Sequence, residues 1–278
     1  MSLRASLAAF APFAPLALSA CGGQPIDKPK APDMTALVAA YETPEGTFDE
    51  ATVAALTAEL LERAPIVQRL GFDVSIAGVV DQAVDESDDP SKETTSVPGS
   101  GSEVAADEGG SLLQGNGYLV ITRICDGWSS PAVAAQENGA MALNAGFTEE
   151  GLDPVVWGTL TECKYLFDDT QVTVGGRGND DDGDVRLHLA EKDLLSHPLL
   201  FDLDAEVTLG SDPPREVDFD FRILPGEGFE LRLPATNGHV VVQVADGQLG
   251  TIRADNGDFT CDLSAATCTN EAGEVVKL

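Results

Sequence analysis

Two runs of residues alternate apolar and polar with a period of two, and they constrain most of what this chain can become. Phe201-Asp202-Leu203-Asp204-Ala205-Glu206-Val207-Thr208-Leu209 is followed by Val217-Asp218-Phe219-Asp220-Phe221-Arg222-Ile223. Successive side chains of a strand point to opposite faces, so each run predicts a half-buried β-strand. The pattern continues through Phe229, Leu231 and Leu233, then Val240, Val242 and Val244. Asp246-Gly247 leads to Leu249 and Ile252, and Asn256-Gly257 to Phe259 and Cys261. Such dipeptides supply the positive φ that tight hairpins need. Upstream, Leu119, Ile121, Arg123 and Cys125 alternate with Tyr118, Val120, Thr122 and Ile124. The whole predicts an antiparallel β-meander of about nine to eleven strands over residues 111–278. A closed barrel and a sandwich both satisfy the pattern, because both cover strand edges.

The segment before it reads differently. Residues 34–80 form a helical N-terminal element, so the fold class is mainly β with a helical N-terminal segment (α+β). Asp33 is placed to cap a short helix through Met34, Leu37, Val38 and Tyr41. Thr47-Phe48-Asp49-Glu50 fits a capping box in which Glu50 reaches back to the Thr47 amide. Val53, Leu56, Leu60, Ala64 and Val67 then recur at helical spacing, with Pro65 expected to break or kink the helix. Phe72 to Val80 predicts a strand. Residues 81–110 carry nine acids against Lys92 alone, among Ser, Thr, Gly and Pro. They predict a disordered acidic linker, since they hold too little apolar area to offset ordering.

The first 20 residues hold one charge, Arg4, and an apolar run from Ala5 to Leu18 interrupted by Pro12 and Pro15. That run is shorter than the ~20 residues a spanning helix needs, and it has the make-up of a secretory signal. Leu18-Ser19-Ala20-Cys21 resembles the lipobox of bacterial lipoproteins at all four positions. The resemblance covers residues 1–21. It implies cleavage before Cys21, lipidation of its thiol and a membrane anchor. In that family a residue other than Asp after the cysteine favours the outer membrane, and here it is Gly22. Residues 21–33 then read as a Pro/Gly-rich flexible tether.

Charge removes other partners. The chain has 47 Asp+Glu against 16 Lys+Arg, a formal charge of −31. Nucleic acid is excluded, because a polyanion needs clustered Lys/Arg. Docking on anionic lipid is disfavoured for the same reason, so the membrane is reached through the lipid anchor.

With Cys21 lipidated, Cys125, Cys163, Cys261 and Cys268 remain. An even number in an exported chain predicts two disulfides. The expected pairs are Cys125–Cys163, tying neighbouring strands, and Cys261–Cys268, closing a short hairpin.

Two acidic features invite a functional reading. Gly175-Gly176-Arg177-Gly178-Asn179-Asp180-Asp181-Asp182-Gly183-Asp184 offers clustered oxygens of the kind Ca²⁺ prefers. Asn179, Asp180, Asp181, Asp182 and Asp184 are therefore a candidate Ca²⁺ site, the one possible cofactor. The EF-hand register puts Leu189 at the last ligand position. The β-roll nonapeptide fails at Asp182 and is not repeated. A solvated hairpin loop is the plainer reading. The second feature is the outward face of the alternating runs, where Asp202, Asp204 and Glu206 meet Asp218 and Asp220 with Arg222 to relieve one position. It reads as a solvated face, with cation or basic-partner capture as the functional version.

No catalytic residues are assigned. His188, His197 and His239 stand far apart in sequence, outside any HExxH or GxSxG setting. The expectation is a cell-envelope, outer-membrane-anchored lipoprotein with a non-catalytic binding or structural β domain, its partner a protein or a small hydrophobic ligand. A Ca²⁺-dependent adhesion module and an envelope hydrolase are the alternatives.

Overall fold

The computed structural model describes residues 30–70, 102–106, 110–115, 118–124, 140–148, 151–167, 170–175, 183–189 and 197–278. Cys21 and the tether up to residue 29, the expected strand Phe72–Val80 and the linker up to residue 101 lie outside them.

Helix α1 spans Thr35–Glu42 and α2 spans Val53–Leu70. Asp33 accepts the Thr35 N–H at 2.9 Å, but the N-cap of α1 is Met34, one residue past the expected Asp33, and has no side-chain cap. The capping box before α2 differs from expectation. Asp49 Oδ1 accepts from Thr52 N–H, and Thr52 Oγ1 accepts from Asp49 N–H. The box is shifted two residues because the Thr47 N–H is committed to the Thr236 carbonyl in a β-bridge. Helix α2 runs on through Pro65 without breaking. It is held by the packing of Leu56, Ile66, Val67 and Leu70 in the main core.

Among the described residues, sixteen strands form one antiparallel sheet. They begin with β1 (Ser102–Ala106), β2 (Gly110–Gly115), β3 (Tyr118–Ile124), β4 (Ala140–Thr148) and β5 (Gly151–Thr161). β1 thus falls inside the stretch expected to be linker. Next come β6 (Cys163–Phe167), β7 (Thr170–Gly175), β8 (Gly183–Leu189), β9 (Leu199–Leu209) and β10 (Arg215–Leu224). The last six are β11 (Gly228–Ala235), β12 (Gly238–Ala245), β13 (Gln248–Ala254), β14 (Gly257–Asp262), β15 (Thr267–Asn270) and β16 (Val275–Lys277). The main path runs β1 to β5, then β8 to β16, so the sheet is open, with β1 and β16 at its ends. The closed barrel is therefore excluded. One face instead buries a continuous core from Leu119 of β3 to Val276 of β16.

The strand count exceeds the expected nine to eleven partly because two strand paths are interrupted. Glu162, with φ 47°, separates β5 from β6. β7 and β8 both pair antiparallel with β9, Gly175 opposite Glu206 and Asp184 opposite Asp204. They are two halves of one path beside β9. A Cβ on Gly183 would lie 2.6 Å from the Gly175 carbonyl oxygen, so the two ends nearly touch. β7 and β8 are therefore not the two neighbouring arms of a hairpin, as the sequence suggested, and residues 176–182 lie outside the described residues.

Cys261 and Cys268 face each other across β14 and β15 and form the expected disulfide. Cys163 is disulfide-bonded, and its expected partner Cys125 lies outside the described residues. Among the described residues no helix is long and apolar enough to cross a membrane.

The two faces carry different helices. α2 packs on the main core. On the opposite face, Met34 and Tyr41 of the α1 region form a second small core with Val155, Leu200 and Val241. The segment between the helices is stitched to hairpin tips. Gly46 N–H donates to the His239 carbonyl at 2.8 Å, and Asp255 N–H to the Gly46 carbonyl at 2.9 Å.

A mixed-charge cleft where the sheet forks

The hairpin of β10 and β11 holds together for only four rungs, from Leu224–Gly228 to Phe221–Leu231. β10 stays paired with β9 over nine rungs, and β11 with β12 over seven. The sheet therefore forks between Asp220 and Arg232. Pro234, which has no N–H, sits on the diverging stretch of β11. Phe219, which belongs to the main core, and Asp218 and Asp220, on the opposite face, come to share one opening.

That opening is a cleft of about 350 Å³. Its walls are Asp202 from β9, Asp218, Phe219 and Asp220 from β10, and Arg232 and Pro234 from β11. Leu37 of α1, Arg63 of α2 and His239 of β12 complete it.

Cross-strand register sets its electrostatics. Asp202 lies opposite Asp220, Asp204 opposite Asp218, and Glu206 opposite Glu216. Like charges so placed repel. The sequence assigned their relief to Arg222, and the structure corrects this. Arg222 binds Glu42 at 2.5 Å and Glu230 at 2.6 Å, with its guanidinium 5.3 Å from the Tyr41 ring centre. Relief comes from the flanking strands. Arg186 of β8 donates to Asp202 at 2.9 Å. Arg232 grips Asp220 with two nitrogens, Nε at 3.1 Å and Nη2 at 2.5 Å. Across β8 to β11 the row thus reads cation, acid, acid, cation.

The compensation is incomplete. Burial holds the Asp202 carboxyl above its usual range, with Asp220 and Asp218 adding to the effect and Arg186 opposing it. The Tyr41 hydroxyl is fully buried beside the Asp220 carboxylate and the Arg232 backbone. Burial, then the Asp220 charge, keep that phenol protonated far above its usual range. His239 is pushed down, mainly by burial and Arg232.

The remaining sequence candidates are dispersed. Asn179, Asp180, Asp181 and Asp182 lie outside the described residues. Asp184 is an exposed position on β8, opposite Asp204 and Thr159. Among the described residues no three His, Cys, Asp or Glu side chains are grouped to hold a metal. His188 is half-buried between Val155 and Leu200 in register, and burial lowers its pKa. His197 precedes β9. His239, expected at a surface or edge, shares the cleft with three carboxylates. Arg63 and Arg232 went unnoticed as site residues. The turn at 225–227 pairs Phe221 with Leu231 and so brings Arg232 beside Asp220, a register that the sequence reading did not fix.

No family model, no curated protein and no solved structure matches this chain.

Proposed function

We propose that this chain is a lipid-anchored cell-envelope protein whose β body is a non-catalytic binding module. The observation that carries the binding reading is the cleft at the fork. Its opposed carboxylates, Asp202 and Asp220, are each tied to an arginine of their own. Groups held this way favour a fixed recognition surface over proton transfer. The lining is charged, which supports a polar occupant over a hydrophobic one.

The anchor rests on Leu18-Ser19-Ala20-Cys21. Acyl chains contribute about 0.8 kcal/mol per buried CH₂, so a lipidated Cys21 would hold the body at the membrane, the outer membrane by the Gly22 rule. Fractionating cells that express Cys21→Ser tests it. Release into the soluble fraction is expected, and retention in membranes would overturn the anchor.

One observation favours a second reading. His239 and Asp218 line the same cleft, which suits acid–base hydrolysis. Screening ester, glycoside and peptide substrates against wild type and His239→Ala decides between the two. A turnover lost in the variant would replace the binding reading.

A further inference from the structure

We propose that α1 is a hinged strap, closed over the fork in this structure, that opens about residues 43–45 while α2 and the sheet stay folded. The inference rests on reading the β body as a binding module and names how access to its cleft is regulated.

The chain is tied differently on the two sides of that hinge. From Gly46 onward the ties run through the backbone. Gly46 N–H donates to the His239 carbonyl, Thr47 N–H to the Thr236 carbonyl, and Asp255 N–H to the Gly46 carbonyl. The Asn256 side chain then holds Phe48 at both its N–H and its carbonyl. Before Gly46 such ties stop. Among the described residues no backbone–backbone hydrogen bond joins residues 30–45 to the sheet. Those of α1 are internal, such as Val38 N–H to the Met34 carbonyl and Thr43 N–H to the Ala39 carbonyl. Thr43 leaves the helix at φ −135° and Pro44 follows it, which marks the hinge.

α1 is a helix only while docked. It has 8 residues and no side-chain cap at Met34. Isolated helices shorter than ~12–15 residues are marginal in water. None of its residues belongs to the main core. Met34 and Tyr41 sit in the small outer cluster with Val155, Leu200 and Val241, and Leu37, Val38 and Trp157 pack half-buried against it.

Docking also carries an opposing cost. The Tyr41 ring faces the Arg222 guanidinium, and its hydroxyl lies beside Asp220. Seating α1 withdraws these charged groups from water, which offsets part of the apolar gain. The tie at the rim, Glu42 to Arg222, leaves the Glu42 side chain 61% exposed, so it is weak and sensitive to salt. Opening α1 therefore takes less free energy than unfolding the body.

Leu37 is one wall of the cleft. Opening removes that wall and uncovers Val155, Trp157, Leu200 and Val241. Residues 22–33 lead from Cys21 to α1, so load on a lipid anchor reaches the strap before any strand.

Hydrogen–deuterium exchange of the full-length lipoprotein in non-ionic detergent tests this, with and without sub-denaturing urea. Amides from Val38 to Thr43 should exchange about a hundredfold faster than those of Ile66, Val67 and Leu70, and without urea dependence, as local opening does. Glu42→Gln should speed α1 about threefold, as for loss of an exposed ion pair, and leave α2 unchanged. Glu62→Gln, an exposed charge on α2, should change neither. Tyr41→Ala should release α1 to the rate of an unstructured peptide with α2 still protected. In a Trp128→Phe background the same change should raise acrylamide quenching of Trp157. Equal protection and equal urea dependence of α1 and α2 would make them one cooperative unit and overturn the strap. Unprotected α1 in the wild type would show that it is never closed, and would also overturn it. So would equal acceleration by Glu42→Gln and Glu62→Gln, or unchanged quenching once α1 is released. None of these measurements uses a ligand, so their failure leaves the binding module standing, and a cleft that binds nothing leaves the strap standing.

Discussion

Asn256 clasps the backbone of Phe48 from both sides. Its Nδ2 donates to the Phe48 carbonyl at 3.0 Å, and its Oδ1 accepts the Phe48 N–H at 3.0 Å. A side-chain amide here imitates a strand neighbour across 208 residues of sequence. It holds the Phe48 ring edge-on to Phe259, centres 5.1 Å apart. Asn256→Ala should cost about 2 kcal/mol, two hydrogen bonds at roughly 1 kcal/mol each. Urea unfolding should show a lower midpoint with an unchanged m-value. An unaltered midpoint would mean that the clasp contributes nothing.

Gly46 lies in the same segment and has no room for a side chain. A Cβ there would sit 2.6 Å from the His239 carbonyl carbon. Gly46→Ala should force the bridge between Thr47 and Thr236 apart and cost about 2–3 kcal/mol. Gly273 has φ 82° and nothing within 4 Å of its would-be Cβ, so Gly273→Ala carries only backbone strain, about 1 kcal/mol. Thermal melts of the pair should rank Gly46→Ala well below Gly273→Ala.

Asp220 is 7% exposed and depends on Arg232. Arg232→Met strands the carboxylate and should cost about 2–3 kcal/mol, less than for a wholly buried pair because Arg232 still reaches solvent. Asp220→Asn in the same chain should recover most of that loss. A double-mutant cycle on unfolding free energies reads it, and additive losses would show that the two groups are uncoupled.

Two shifted groups of the cleft, His239 and Asp202, act on stability in opposite senses. His239 is lowered, so below its usual value of about 6.5 the unfolded chain takes up the proton more readily. Its contribution to stability is present above that pH and falls on acidification through it. Asp202 is raised, so on acidification the folded chain takes the proton first. Its site favours folding as pH falls from the raised value towards about 3.8, the ordinary carboxylate range. His239→Gln should flatten the stability profile near pH 6, and Asp202→Asn should flatten it in the acid range. Denaturation midpoints measured across pH check both, and overlapping profiles would remove the effect.

The Cys261–Cys268 bond closes a loop with a sequence separation of 7. Loop entropy gives it about 2 kcal/mol. Replacing both cysteines by serine should lower the thermal midpoint accordingly, without altering the strands on the far side of the fork.

Period-two patterning placed β9 to β14 in the sequence, because their alternate residues line the main core. The cross-strand acids of β9 and β10 followed from the same alternation. What the pattern hid were features set by long-range closure. Asn256-Gly257 reads as a turn, yet only Gly257 takes a positive φ, 121°, because the Asn256 side chain is committed to Phe48. The stretch from Gly175 to Asp184 reads as a hairpin loop because nothing local shows Gly183 meeting Gly175. The cleft was legible only in part: Asp202, Asp218 and Asp220 stood out as a row, whereas Arg63 and Arg232 arrive from separate elements.

The meeting of Gly175 and Gly183 has a consequence for how this chain can change over time. The strand path beside β9 is complete without residues 176–182, since its two ends already lie in adjacent register. Lengthening or exchanging that stretch is expected to leave the pairs of β7 and β8 with β9 in register. The position is a port through which new sequence can be trialled while the sheet that carries it stays as it is.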